Sequence, residues 1–189
     1  MDSTDVKAFF ERVSTDWDSM RSSFYNEKVI DALVERAEVS ATSHVVDVGT
    51  GTGFVAAGLA SRTAAVVGVD NSPSMLAVAE RNLHALNLAN VRLVEGELDR
   101  LPLEDDSADA AVANMVLHHA PDPAAMLAEM ARVVRPGGVV AVTDEVEHEY
   151  EWMRTEQADL WLGFSQSQIE AFFGTARLAA YGYDSLGMQ

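Results

Sequence analysis

The chain has 189 residues, enough for one domain with a sizeable core, and its 48% hydrophobic and 23% charged content is ordinary for a globular fold. Its formal charge of −17, from 30 acidic against 13 basic residues, repels phosphate backbones and argues against a nucleic-acid partner. With no cysteine, disulfides, thiolate nucleophiles and Cys-ligated clusters are excluded, and the redox compartment stays open.

The first reading of so acidic a surface is solvation and solubility, with a salt-adapted source or a cationic substrate as the alternatives. The opening MDSTDVKAFFERV carries acids where a secretory leader needs a basic region, and no stretch reaches the roughly 20 apolar residues of a membrane span. The expected location is cytoplasmic.

The pattern predicts a single domain, with N-terminal helices forming a lid over residues 1–40 and an α/β unit over 41–189. Val6, Phe9, Phe10, Val13 and Trp17 recur at helical spacing and predict one helix; Val29, Ile30, Leu33 and Val34 predict a second. Short Val-rich runs then appear at 44–48, 65–69, 91–94, 109–114 and 139–143, separated by helix-length segments. Ser72-Pro73 and Asp122-Pro123 each place an N-cap before a proline at the first helical position. Arg135-Pro136-Gly137-Gly138 is expected to stop the second of those helices. Strands alternating with helices imply a Rossmann-like, doubly wound, mostly parallel sheet. After the fifth strand, EYEWMRTEQADLWLGF is expected to be helical, and Ser165-x-x-Gln168 forms a capping box for the next helix. RLAAYGYDSLGMQ allows one more strand.

The strongest motif is Asp47-Val48-Gly49-Thr50-Gly51-Thr52-Gly53, directly after the first strand and opening a helix. Its glycines permit a tight turn and close backbone approach to a ligand, with helix N–H groups facing it. A dinucleotide fold uses GxGxxG instead. An in-strand carboxylate at Asp47 repels a pyrophosphate but suits a cofactor with a cationic amino-acid end. Asp70, at the end of the second strand, is placed to accept both ribose hydroxyls. Glu97, just beyond the third strand, is placed to accept from an adenine amino group. Asp70 has a plainer reading as an ordinary strand-end acid, and Glu97 as a solvated acid in an acidic stretch.

These residues, with the fourth-strand segment ANMVLHHAPDP and the ARVVRPGGVVAVTD turn and strand, resemble the class I S-adenosylmethionine-dependent methyltransferases over about residues 5–175. FFERVSTDWD and EWMR…LGFS are similar to the small ubiquinone/menaquinone-methyltransferase-like group, methyltransferase type 11, including its stand-alone and ArsR-fused members. The resemblance implies S-adenosylmethionine as cofactor and S-adenosylhomocysteine as product. It implies that Asp47, Gly49, Thr50, Gly51 and Gly53 hold the methionine end and Asp70 the ribose. Asn71 would flank the adenine, Glu97 and Leu98 would bind its edge, and Asn114 would lie near the methionine. The group usually carries a shorter acid at position 97. It also usually finishes the sheet with an antiparallel hairpin, which here looks incomplete, so a homodimer completing the edge is one expectation. Arsenic methylation in related enzymes uses cysteine thiols, which this chain lacks.

Ligands in an open α/β sheet bind beyond the carboxyl ends of the strands, where His118 and His119 are the candidate general bases and His148 a further one. Many methyl transfers need only positioning of an acceptor against the sulfonium, so neither histidine need be a base. Trp17, with Phe9, Phe10, Val13 and Tyr25, is expected either to cover the cofactor or to form plain core. The acid-dense segment after the fifth strand lacks convincing metal-ligand spacing, so no metal is expected. The function expected is in-line methyl transfer to a small-molecule acceptor. The alternatives are a non-catalytic cofactor-binding partner module and a nicotinamide-dependent oxidoreductase.

Overall fold

A computed structural model describes residues 3–187. Three N-terminal helices, α1 (Ser3–Val13), α2 (Trp17–Arg21) and α3 (Lys28–Arg36), precede β1 (His44–Val48) and α4 (Phe54–Ala60). β2 (Ala65–Asp70), α5 (Pro73–Ala85), β3 (Val91–Glu95) and β4 (Ala108–Asn114) follow, then α6 (Pro123–Val133) and β5 (Val134–Thr143). The described chain closes with α7 (Trp152–Glu156) and α8 (Gln166–Thr175).

The five strands form one all-parallel sheet in the order β3-β2-β1-β4-β5. The order reverses between β1 and β4, so the carboxyl ends of those strands open a crevice. Side-chain alternation divides the core between the two faces. Val46 and Val48 pack with Met126, Leu127, Met130 and Phe164, whereas Val45 packs with Leu33, Val55 and Leu59. Each anchor of this kind contributes about 1.5–3 kcal/mol when fully buried.

The helix starts follow their signals. Ser72 Oγ accepts the Met75 N–H at 3.1 Å, and an Asp122 carboxylate oxygen accepts the Ala125 N–H at 3.0 Å. Ser165 and Gln168 form the reciprocal capping box of α8.

Four local expectations need correction. The single N-terminal helix through Trp17 is broken after Val13, where the Ser14 hydroxyl bonds back to the Glu11 carbonyl, and α2 restarts at Trp17. The long helix expected over residues 149–164 shrinks to α7. There Ala158 turns to φ +66°, and the Leu160 and Trp161 N–H groups donate to the His118 carbonyl, both at 3.0 Å, in place of helical partners. α6 ends at Val133, but Arg135–Gly138 is the bulged start of β5 rather than a turn before it. Finally, no strand follows β5 among the described residues, and 177–187 run over the surface; Met188 and Gln189 lie outside the described residues.

Candidate active site

The crevice holds a cavity of about 400 Å³, floored by the turn from β1 into α4 and roofed by α1 and α2. The turn holds its three glycines at left-handed φ. Gly49 has φ +70°, and a Cβ there would meet the Val116 side chain at 2.5 Å. Gly51 has φ +54°, and its missing Cβ would point at Trp17 Nε1 from 3.8 Å. Gly53 does not line the cavity; it caps α4 and lies against Ala79 of α5.

Asp47 and Asp70 flank this turn. Asp47 is 1% exposed and accepts the Thr50 hydroxyl at 2.7 Å. Burial pushes its carboxyl up to about 7, with the Asp70 charge adding to the rise, while Thr50 and the Ala56 N–H oppose it. Asp70 accepts the Gly51 N–H at 2.8 Å with one oxygen and the Ser72 N–H at 2.9 Å with the other. Burial also raises Asp70, against the backbone donors of Ser72, Gly51 and Asn71. The Asn71 amide donates to Glu97 at 2.9 Å, which joins the two predicted adenine-side residues across β2 and β3; Leu98 lines the wall beside them. Asn114 ends β4, accepts the Thr143 hydroxyl at 2.8 Å and also lines the cavity.

The roof is tied down by two acids that the sequence pattern did not single out. Glu11 accepts the hydroxyls of Ser72, at 2.7 Å, and Ser74, at the start of α5. Asp18 accepts Thr52 Oγ1 at 2.8 Å, Arg21 Nε at 2.8 Å and Asn82 Nδ2 at 3.1 Å. Arg21 in turn lies 3.7 Å over the Phe54 ring. Phe10, Trp17 and Tyr25 face the cavity. No Lys or Arg lines it among the described residues.

A 3-10 turn, Leu117–His119, separates the histidine pair. His119 lines the cavity with its ring edge-on to Phe10, centroids 4.9 Å apart, and donates Nδ1–H to the Ala158 carbonyl at 3.2 Å. Burial, reinforced by the neighbouring His118 charge, holds its pKa well below the usual imidazole range, so the ring is neutral. His118 lies behind it, outside the cavity lining, and donates Nδ1–H to Asp144 at 2.7 Å. Burial alone would depress His118, but Asp144, then Asp159 and Glu145, lift it to about 9. The other Asp144 oxygen accepts the Val116 and Leu117 N–H groups, which fixes the turn. Asp144 follows the last residue of β5, so the rule that ligands gather beyond strand carboxyl ends points to it; Asp159 carries no such signal. His148 bonds Glu145 at 2.9 Å and lines a separate hollow with Arg154 and Trp161.

The family described as "Methyltransferase domain" matches residues 46–142, over half of the chain. A demethylmenaquinone methyltransferase of Bacillus cereus is 36% identical over 141 residues, covering 71% of this chain and 60% of that protein. The chain thus spans under two thirds of that relative's length. Among solved structures, a methyltransferase of Haloferax volcanii in complex with its Trm112 activator superposes with a TM-score of 0.76 at 25% identity, covering 88% of this chain and 75% of that one. Phosphoethanolamine N-methyltransferase 2 of Haemonchus contortus, solved with S-adenosyl-L-methionine, shares the fold at TM-score 0.76 and 23% identity, covering 90% of this chain and 44% of that one. The chain belongs to the methyltransferase domain family.

Proposed function

We propose that the chain is an S-adenosylmethionine-dependent methyltransferase acting on a small-molecule acceptor. The observation that carries this reading is the pair of carboxylates, buried Asp47 and half-buried Asp70, at the two sides of a glycine turn in one cavity. The donor set fits the cofactor: a cationic amino-acid end suits Asp47, ribose hydroxyls suit Asp70, and the Asn71–Glu97 pair with Leu98 suits an adenine edge. Gly49, Thr50 and Gly51 give the backbone approach that the methionine end needs, and Asn114 stands beside it. A pyrophosphate at Asp47 is electrostatically unfavourable, which sets the nicotinamide alternative aside.

When bound, the cofactor supplies an electrophilic methyl group on a sulfonium. The residues of this chain do the rest. Phe10, Trp17 and Tyr25 line the cavity and exclude water from it. His119, neutral with its Nδ1 proton held by Ala158, keeps Nε2 as a hydrogen-bond acceptor for the acceptor's O–H or N–H. His118, charged and outside the lining, is not a base at neutral pH. Among the described residues no cationic side chain lines the cavity, which favours a neutral or cationic acceptor over a phosphorylated or carboxylated one. A cytoplasmic location and a homodimeric state belong to the same proposal; no helix of the described residues is long and apolar enough to cross a membrane.

Calorimetry with S-adenosylmethionine, S-adenosylhomocysteine and NAD tests the cofactor. The first two are expected to bind and NAD not to; saturable NAD binding without the other two overturns the reading. Methyl release across a panel of neutral, cationic and anionic acceptors tests turnover. Cofactor binding without release on any acceptor would favour the non-catalytic module.

A further inference from the structure

A buried carboxylate without a hydrogen-bond donor among the described residues lies behind the cavity. Asp159 is 1% exposed, and neither of its carboxylate oxygens accepts a hydrogen bond from any described residue. An ionised carboxylate left without donors in the interior is costly, and such groups are normally paired or bound to a cation. Oδ1 stands 3.6 Å from His118 Nε2 and 3.9 Å from His119 Nδ1, both too far for a hydrogen bond. One nitrogen from each histidine and one Asp159 oxygen lie within 4.8 Å of one another, and all three residues are buried.

We propose that His118, His119 and Asp159 form a binding site for a borderline divalent transition-metal ion of the zinc or cobalt type. Three donors at these separations surround a point from which small side-chain shifts give bonds of about 2.0–2.2 Å. Two imidazoles and one carboxylate favour such an ion over magnesium or calcium, which prefer all-oxygen shells. The outer contacts fit as well. His118 donates Nδ1–H to Asp144 at 2.7 Å, the carboxylate–histidine arrangement that orients a ligating ring and presents Nε2 to a metal. Asp144 is itself fixed by the Val116 and Leu117 N–H groups, so the ring has little freedom to turn away. His118, charged when no metal is bound, releases its Nε2 proton to solvent on coordination, and Asp144 and Asp159 then match a divalent ion bound by two neutral imidazoles. Coordination of His119 replaces its Nδ1 proton, now donated to the Ala158 carbonyl at 3.2 Å, and leaves that oxygen beside the ion as a further donor. The ring proton then sits on Nε2, so a loaded site presents a donor to the cavity where the proton-bound ring presents an acceptor.

The site stands independently of the methyl-transfer reading and is tested without an acceptor or cofactor. The full chain is stripped with a chelator, loaded with Zn²⁺ or Co²⁺, passed over a desalting column and assayed for metal per chain, beside Asp159→Asn and with Mg²⁺ and Ca²⁺ as controls. One equivalent of Zn²⁺ is expected to be retained by the parent, with at least tenfold weaker affinity in Asp159→Asn and no retained Mg²⁺ or Ca²⁺. The Co²⁺ form of the parent is expected to show ligand-field absorption of a nitrogen–oxygen site, a readout that does not depend on the variant folding. Equal Zn²⁺ retention by parent and Asp159→Asn assigns binding to the acidic surface and overturns the proposal. So does a Co²⁺ spectrum indistinguishable from the aqueous ion.

Discussion

Asp70 does two jobs at one position. Its carboxylate pins the Gly51 and Ser72 N–H groups and also lines the cavity, with acceptor capacity left over. Asp70→Ala is expected to weaken S-adenosylmethionine binding by about 1.5–3 kcal/mol, the range for hydrogen bonds to a charged group. Calorimetry on the folded variant measures this, and unchanged affinity removes Asp70 from the ribose role. Gly51 has a different sensitivity. Its Cα faces open cavity below Trp17, so Gly51→Val puts a branched side chain in the cofactor's path at a left-handed φ. That variant is expected to retain its fold and lose cofactor binding; normal binding sinks the cradle. Gly49 offers no such clean test, because any side chain there strikes Val116 in the core.

The elements that matter most for access are α1 and α2, which reach the rest of the molecule largely through polar tethers and one small apolar cluster around Val6, Phe9 and Ala158. Segments held this way open locally at less than the global unfolding free energy. Asp18→Ala removes the acceptor shared by Thr52, Arg21 and Asn82. It is expected to cost about 1 kcal/mol and to speed hydrogen exchange in α1 and α2 well beyond that in β1 and β4. Uniform acceleration across the chain contradicts a separately opening roof. Asp122→Ala, at the N-cap of α6, serves as contrast: it loses about 1 kcal/mol of stability with cofactor affinity unchanged.

At the scale of the whole molecule, the buried acids set the pH dependence. Asp47 has its folded pKa raised to about 7, above the ordinary carboxylate value, so between those values the folded state holds the extra proton. Its contribution to stability is therefore greatest below the ordinary carboxylate range and is lost as pH rises toward about 7. A cofactor cation beside Asp47 reverses the preference. Binding releases this proton below pH 7, and affinity rises with pH up to about that value before levelling. Thermal melts are expected to show a larger cofactor-induced gain at pH 8 than at pH 5.5. Calorimetry in buffers of different ionisation enthalpy reads the released proton directly, and a gain independent of pH excludes Asp47 as the cation's partner. The −17 charge adds a separate term, self-repulsion that salt screens, so the melting temperature is expected to rise with ionic strength.

Much of this was legible from residue order. The apolar runs marked the five strands most clearly where β1 and β4 are buried on both faces, and the Ser72-Pro73 and Asp122-Pro123 pairs marked two helix starts because capping is a local hydrogen bond. The glycine turn with Asp47 and Asp70 was readable for the same reason: a βα turn and a strand end fix a ligand-facing position within a few residues. The break after Val13 and the collapse of the expected helix at 149–164 were not readable. Both segments carry helical periodicity; in the first a local side-chain bond from Ser14 to the Glu11 carbonyl accompanies the break, and in the second backbone bonds to distant His118 override the pattern. Which histidine faces the cavity was likewise undetermined, since adjacent residues in a turn diverge according to what anchors them, here Asp144 just after β5 and Ala158 from the loop beyond α7. The juxtaposition of Asp159 with His118 and His119 belongs wholly to the tertiary structure: ligand spacing along the chain carries no signal when the donors meet only after the sheet, α6 and α7 have packed.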